Sequence, residues 1–179
     1  MDSKNIVKLG VILLLICVIS TALLAAVNML TLPVITENNL KNQELAKKEV
    51  LPDAEIFEAM GENVYKGLKG DEIVGYTVTV APKGYGGKID MMVGINKDKT
   101  VSGIKIINMS ETPGLGAKAQ DMNFTEQFKG KNKDLSLKKS QAGENEITAI
   151  SGATVTSTAV TKGVKEAFML VEQAGGGKQ

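Results

Sequence analysis

From Leu9 to Val27 the chain reads LGVILLLICVISTALLAAV, nineteen residues without a charge, and apolar character continues through Leu30, Leu32 and Val34. A helix rises ~1.5 Å per residue, so about twenty such residues cross a hydrocarbon core of ~30 Å. A cleaved signal peptide is the competing reading, since LLAAV at Leu23 to Val27 offers small residues to a peptidase. The run exceeds the ~7–15 residues of a signal's apolar core, which favours an uncleaved anchor. Pro33 closes this segment or kinks it. Thr36 to Val50, TENNLKNQELAKKEV, then carries a cap-like Thr36 and a polar run of helix formers. It predicts an exposed stalk helix, with Leu40 and Leu45 as weak contacts, ended by Pro52. DAEIFEAM, Asp53 to Met60, reads as one more short helical turn.

From Val64 the period changes to two. In EIVGYTVTV, Val74, Tyr76, Val78 and Val80 alternate with Gly75, Thr77 and Thr79, as in a half-buried strand. KGYGGK is a loop by its glycines. IDMMVGI alternates Ile89, Met91, Val93 and Ile95, and NKDK is a hairpin turn into TVSGIKIIN. Three strands joined by short connections predict an antiparallel sheet with one wet face. MSETPGLGAKAQ, Met109 to Gln120, is a loop, because Pro113, Gly114 and Gly116 fall within four residues. AQDMNFTEQF is helical, with Phe124 and Phe128 one turn apart, and KGKNKDLSLKKS is a basic, mobile connection. EITAI makes a strand. TVTSTAVTKGVKEAFMLV makes a helix whose inner face carries Val160, Val164, Phe168 and Val171. The tail AGGGKQ is expected to fray. The fold class is therefore α+β: a twisted antiparallel sheet with packed helices, preceded by one transmembrane helix. The expected divisions are 1–35 for tail and anchor, 36–60 for stalk helices, 61–173 for the folded domain and 174–179 for the tail.

Composition narrows the chemistry. The 179 residues carry a net charge of +1, with 4% aromatics and no Trp, so neither electrostatics nor stacking argues for nucleic acid. Histidine is absent, which removes the commonest metal ligand and the usual neutral-pH base. The single cysteine, Cys17, lies in the apolar run and forms neither an internal disulfide nor a cysteine metal cluster. Chemistry must come from oxygen nucleophiles, backbone amides or a borrowed cofactor. Lys4 and Lys8 precede the span while Lys41, Lys47 and Lys48 follow it, so the positive-inside bias is weak. The short N-terminal tail favours an N-terminus inside and the domain outside.

Two segments are candidates for a site. In SGAT, Ser151 to Thr154, Gly152 permits a tight turn and Ala153 keeps the approach open. The helix that follows leaves its first amides unpaired, with a dipole that favours a phosphate there. The hydroxyls of Ser151, Thr154, Thr156 and Ser157 add donors. The plainer reading makes Ser151 or Thr154 an N-cap, worth ~1 kcal/mol to the fold. In ETPGLG, the glycines Gly114 and Gly116, with Leu115 between them, admit a flat ligand that Glu111 and Thr112 could bond. The plainer reading is a surface loop punctuated by turn residues. Met91, Met92 and Met109 could line a cofactor pocket, although methionines in strands are more often core filler.

Taken together, SETPGLGAKA at Ser110 to Ala119, FTEQF at Phe124 to Phe128 and SGATVTS at Ser151 to Ser157 resemble the G subunit of the Rnf complex. That family shares its FMN-binding domain with the C subunit of the sodium-translocating NADH:quinone oxidoreductase. The likeness runs from the N-terminal span through VLPDA at Val50 to Ala54 and on to the last helix. It implies FMN held by a phosphoester at the threonine ending Ser-Gly-Ala-Thr, here Thr154, with Ser151, Gly152, Ala153, Thr156, Glu111, Thr112, Gly114, Leu115 and Gly116 around it. Thr156 is the fallback acceptor, and Lys118 and Glu111 are placed beside the ring. It also implies a separate flavin transferase that uses FAD and a divalent metal. The family's usual Asp six residues before the modified threonine is Thr148 here, with Glu146 nearby but out of step.

The implied role is an electron-transfer subunit, not a stand-alone enzyme, in a membrane-bound ferredoxin:NAD+ oxidoreductase that moves Na+ or H+. Its partners would be the membrane, iron–sulfur and flavin subunits of that complex. The span has no ionisable residue between Leu9 and Val27, so an ion path would lie in those partners. Two alternatives stay open. One is a component like the C subunit of the quinone-reducing relative. The other is a noncatalytic membrane-anchored binding or scaffold domain in which SGAT is only a cap.

Overall fold

The computed structural model describes residues 3–140 and 142–176. The chain divides into two compact units, Met1–Lys41 and Asn42–Gln179. Helix α1, Ser3–Val50, begins in the first and ends in the second. In the first unit its apolar side chains from Val7 to Ile35 stand exposed, and among the described residues it is the one helix long and apolar enough to cross a membrane. The helix runs through Pro33, which therefore does not close it. Thr36 is no cap: its hydroxyl donates back to the Leu32 carbonyl at 2.9 Å, inside the helix. A lone proline removes one donor, and a long helix retains the bonds on either side.

The second unit is built on five antiparallel strands in chain order: β1 (Ile56–Ala59), β2 (Val64–Lys69), β3 (Glu72–Val80), β4 (Ile89–Asn96) and β5 (Val101–Met109). Ile56–Ala59, expected as a helical turn, is the edge strand. Its β-branched and aromatic pair Ile56-Phe57 suits a pleated surface, and Glu58 pairs with Lys66 of β2 at 2.9 Å. The predicted β4–β5 hairpin forms, with Lys99 at φ 64° in its turn.

Helix α3 (Thr154–Gly176) covers one face of the sheet. Val160 and Val164 are fully buried and Phe168 nearly so, in one core with Val78, Met91, Val93 and Ile106. Each such side chain contributes about 1.5–3 kcal/mol by leaving water. Of the expected tail, Ala174 to Gly176 continue α3, and residues 177–179 lie outside the described residues.

The other face is not wet at its centre, contrary to expectation. The last turns of α1 lie on it: Ala46 and Val50 pack with Met92 and Ile107, while Leu40 and Leu45 remain exposed. Gly94 makes the room. A Cβ there would overlap the Val50 carbonyl, whose carbon would lie 2.8 Å away. Ser102 Oγ donates to that carbonyl and closes the helix end. Met91 and Met92 thus fill the cores on opposite faces, and Met109 packs at the margin of the first.

The segment after β5 folds onto the α3 side through a short helix α2 (Met122–Thr125) and a 3-10 turn, Glu126–Phe128. The Phe124 and Phe128 rings meet edge to face, with centroids 5.4 Å apart. The connection read as mobile is anchored: Leu135 is fully buried, and β6 (Ser136–Lys138) pairs in parallel with β7 (Glu146–Thr148). Two leucines among lysines are enough to pin it, and Ala149 and Ile150 of EITAI lie beyond the strand.

Candidate functional site

Both candidate segments fold as turns of one type. In ETPGLG the Leu115 N–H donates to the Thr112 carbonyl at 3.2 Å across Pro113 and Gly114, and Gly114 has φ 76°. In ISGA the Ala153 N–H donates to the Ile150 carbonyl at 3.0 Å across Ser151 and Gly152, again with φ 76° at the glycine. A positive φ at the third position is what a type II turn asks of glycine. The first turn runs into a 3-10 helix, Gly116–Gln120, and the second into α3.

These turns face one another across a cleft of about 490 Å³. Thr112, Leu115 and Gly116 line one side; Gly152, Ala153, Thr154, Val155 and Thr156 line the other; Tyr85 and Glu111 complete it. Tyr85, Leu115 and Val155 are exposed, so the rim is largely apolar. Pro113 and Ser151 belong to the turns but do not line the cleft, and neither does Gly114.

The first α3 hydrogen bond runs from Ser157 N–H to the Ala153 carbonyl at 3.0 Å, which makes Ala153 the N-cap. Alanine has no side-chain acceptor. Ser151 and Thr154 do not cap, and among the described residues the amides of Thr154, Val155 and Thr156 have no protein acceptor. The cap reading of SGAT therefore fails on geometry.

The four hydroxyls divide into two pairs. Ser157 is fully buried; its Oγ donates to the Ala153 carbonyl and accepts from the Ile150 N–H, both at 3.0 Å. Thr156 is 1% exposed, and its Oγ1 donates to Glu111 Oε2 at 2.6 Å. Those two hydroxyls are committed to the fold. Ser151 and Thr154 are exposed, and Thr154 alone of the two lines the cleft.

Glu111 ties the site together. It is 8% exposed, and its second oxygen accepts the Gly86 N–H at 3.0 Å, from the loop between β3 and β4. Gly116 packs against this pair: a Cβ there would lie 2.6 Å from Glu111 Oε2 and 2.8 Å from Thr156 Oγ1. Lys118, expected beside the ring with Glu111, does not line this cleft and lines a separate depression with Asp121, Gln127 and Thr148. Thr148 itself donates its N–H to Gln127 Oε1 at 2.7 Å and accepts the Ala142 N–H at 3.2 Å. The cations near Thr154 are Lys83 and Lys162, which line with it a second depression that also includes Val155, Thr158 and Ala159. Thr154 thus has lysines for neighbours in one depression and the Glu111 carboxylate in the other. Among the described residues, no cluster of three acidic or cysteine ligands could hold a metal ion.

Tyr85, Gly86 and Val155 were not singled out from the sequence. An aromatic between glycines in KGYGGK is the signal that could have found the first two.

Residues 84–169 match the FMN-binding domain family, and residues 1–50 match the RnfG N-terminal region. The chain is 38% identical to the G subunit of the Na(+)-translocating ferredoxin:NAD(+) oxidoreductase complex of Acetobacterium woodii, over 96% of this chain and 94% of that protein. It is 37% identical to the G subunit of the proton-translocating ferredoxin:NAD(+) oxidoreductase complex of Clostridium ljungdahlii, over 99% and 97%. Its fold is similar to that of the C subunit of the Na(+)-translocating NADH-quinone reductase of Parabacteroides distasonis, with a TM-score of 0.52 and 27% identity over 62% of this chain and 61% of that structure. On the strength of the near full-length relatives, the chain belongs to the G-subunit family of the ion-translocating ferredoxin:NAD+ oxidoreductase, or Rnf, complexes, and it carries that family's FMN-binding domain.

Proposed function

We propose that this protein is the membrane-anchored electron carrier of such a complex, with FMN joined by a phosphoester to Thr154. The observation that carries the reading is the exposed Thr154 hydroxyl at the mouth of the cleft, beside three unengaged amides of α3. A phosphate on that oxygen meets the positive end of the helix dipole. Lys83 and Lys162, which share a depression with Thr154, add positive charge nearby. The turn at Thr112–Leu115 and the first turn of α3 would hold the flat ring, with Tyr85, Leu115 and Val155 at the rim and Gly116 leaving the wall thin. FMN supplies the redox chemistry; the chain binds, orients and shields it.

Attachment needs a flavin transferase and FAD. Thr154 Oγ1 would take the FMN phosphoryl group from FAD, with the pyrophosphate bond broken, AMP as the leaving group and the hydroxyl proton released to solvent. Thr156, the fallback acceptor, is buried and its hydroxyl donates to Glu111 Oε2, so it does not compete. A covalent link keeps the cofactor on a domain facing the extracytoplasmic side, where a dissociated flavin would be lost. The coupling ion, Na+ or H+, is handled by partner subunits, because the span of α1 between Leu9 and Val27 offers no acidic or basic side chain.

The test is intact mass after denaturation, on full-length chain co-expressed with an active transferase. Wild type and Thr156→Val gain ~438 Da, the mass of an FMN residue, and Thr154→Val does not. A wild type without the adduct, beside a modified control substrate, overturns the covalent reading. An adduct that persists in Thr154→Val moves it to another hydroxyl.

A further inference from the structure

Glu111 has an arrangement that flavin attachment at Thr154 does not require. It is the one carboxylate lining the cleft, it is 8% exposed, and both of its oxygens act as acceptors, the role an ionised carboxylate fills. Among the described residues none of the ion pairs includes it. A carboxylate so placed, with neutral donors only, costs the fold desolvation energy that a methionine or leucine would not. Its two bonds join parts of the chain far apart in sequence, 25 residues back to Gly86 and 45 residues on to Thr156.

Resting on the FMN reading of the cleft, we propose that Glu111 is a positioning residue with two effects. It clamps the Lys83–Gly87 loop and the first turn of α3 to the loop that follows β5, which sets the width of the cleft. It also supplies a fixed negative charge that holds the flavin's midpoint potential down. Putting electrons on a ring beside an anion raises the energy of the reduced form, and the effect is large because the carboxylate is shielded from water. No cation lines the cleft to cancel it; Lys83 and Lys162 line a separate depression that shares Thr154 and Val155 with it.

The two effects separate by substitution in the full-length chain. Glu111→Gln removes the charge and keeps the shape: its oxygen still accepts the Gly86 N–H, and its NH2 donates to Thr156 Oγ1, which accepts instead of donating. Glu111→Ala removes both. The clamp is read in the unmodified chain from exchange of the Gly86 amide. The charge is read in the flavinylated chain from the midpoint, by dithionite titration against indicator dyes.

Glu111→Gln should keep Gly86 protection and raise the midpoint. Glu111→Ala should speed Gly86 exchange about tenfold or more, as expected for loss of a hydrogen bond to a charged group. A midpoint that is unchanged or lower in Glu111→Gln overturns the charge effect. Unaltered Gly86 exchange in Glu111→Ala overturns the clamp. A wild type that takes up no flavin defeats the FMN reading and the charge effect with it, while Gly86 exchange still decides the clamp.

Discussion

The covering of the second sheet face by the end of α1 rests on close backbone approach, and Gly94→Ala tests it. The added Cβ would fall inside contact distance of the Val50 carbonyl oxygen and Ser102 Oγ, and 2.8 Å from the Val50 carbonyl carbon. Two of these three neighbours are backbone, and Val50 is held by burial at 1% exposure and by the Ser102 hydrogen bond. Overpacking of this kind costs about 1–3 kcal/mol. Alanine restricts the unfolded chain and returns about 0.4–1 kcal/mol. The expected net destabilisation is therefore about 1–2 kcal/mol, or a urea midpoint lowered by roughly 0.5–1 M at a slope near 2 kcal/mol/M. The assay is far-UV circular dichroism of full-length chain in detergent, since there is no tryptophan to follow. Gly61→Ala is the control, because nothing lies within 4 Å of a Cβ there, and it should be neutral or slightly stabilising. A neutral or stabilised Gly94→Ala would refute the packing. Equal losses in both variants would show that the assay reports something other than this contact.

The remaining expectations can be checked with the same protein. Thr77→Val should stabilise by up to about 1 kcal/mol in urea unfolding, because Thr77 Oγ1 is buried without a partner and its removal ends an uncompensated desolvation; destabilisation would mean the hydroxyl is bonded in solution. Phe128→Ala should cost about 3–5 kcal/mol, as the ring is fully buried against Phe124, and a loss below ~1 kcal/mol would contradict that burial. The Gly143 N–H and then Lys138 hold the Glu146 carboxyl below its ordinary value of 4.5. Its folded-state value is the lower one, so its contribution is present above about pH 4.5 and is lost as pH falls through the folded value. Gly143 amide exchange should accelerate over that acid range in wild type and not in Glu146→Gln. Thr148→Asp retains an acceptor for the Ala142 N–H and restores the acidic position of the family motif, so flavinylation time courses should be faster than wild type; slower modification would refute that role for the position.

Sequence alone determined the features that depend on local periodicity and on chemistry. An uncharged run of nineteen residues has one stable form in lipid, a helix, and α1 spans it. Alternation in β3 and β4, turn residues between β4 and β5, and four-residue spacing in α3 each specify an element without outside contacts. The two glycine turns were legible because a positive φ selects glycine whatever surrounds it. Tertiary structure decided what no local pattern encodes. Ile56–Ala59 is a strand because β2 offers it an edge, and Leu135 anchors a lysine-rich segment because a core lies beneath it. Gly94 matters only because the end of α1 arrives there from 44 residues earlier. The same holds at the site: four hydroxyls look alike in SGATVTS, yet burial commits Thr156 to Glu111 and Ser157 to the helix start and leaves Thr154 in the cleft. Glu111 lines the cleft and Lys118 does not, because a 3-10 turn, which a loop composition does not reveal, places Lys118 at another depression. Side-chain availability is a property of what packs above a residue, and that is set by contacts distant in the chain.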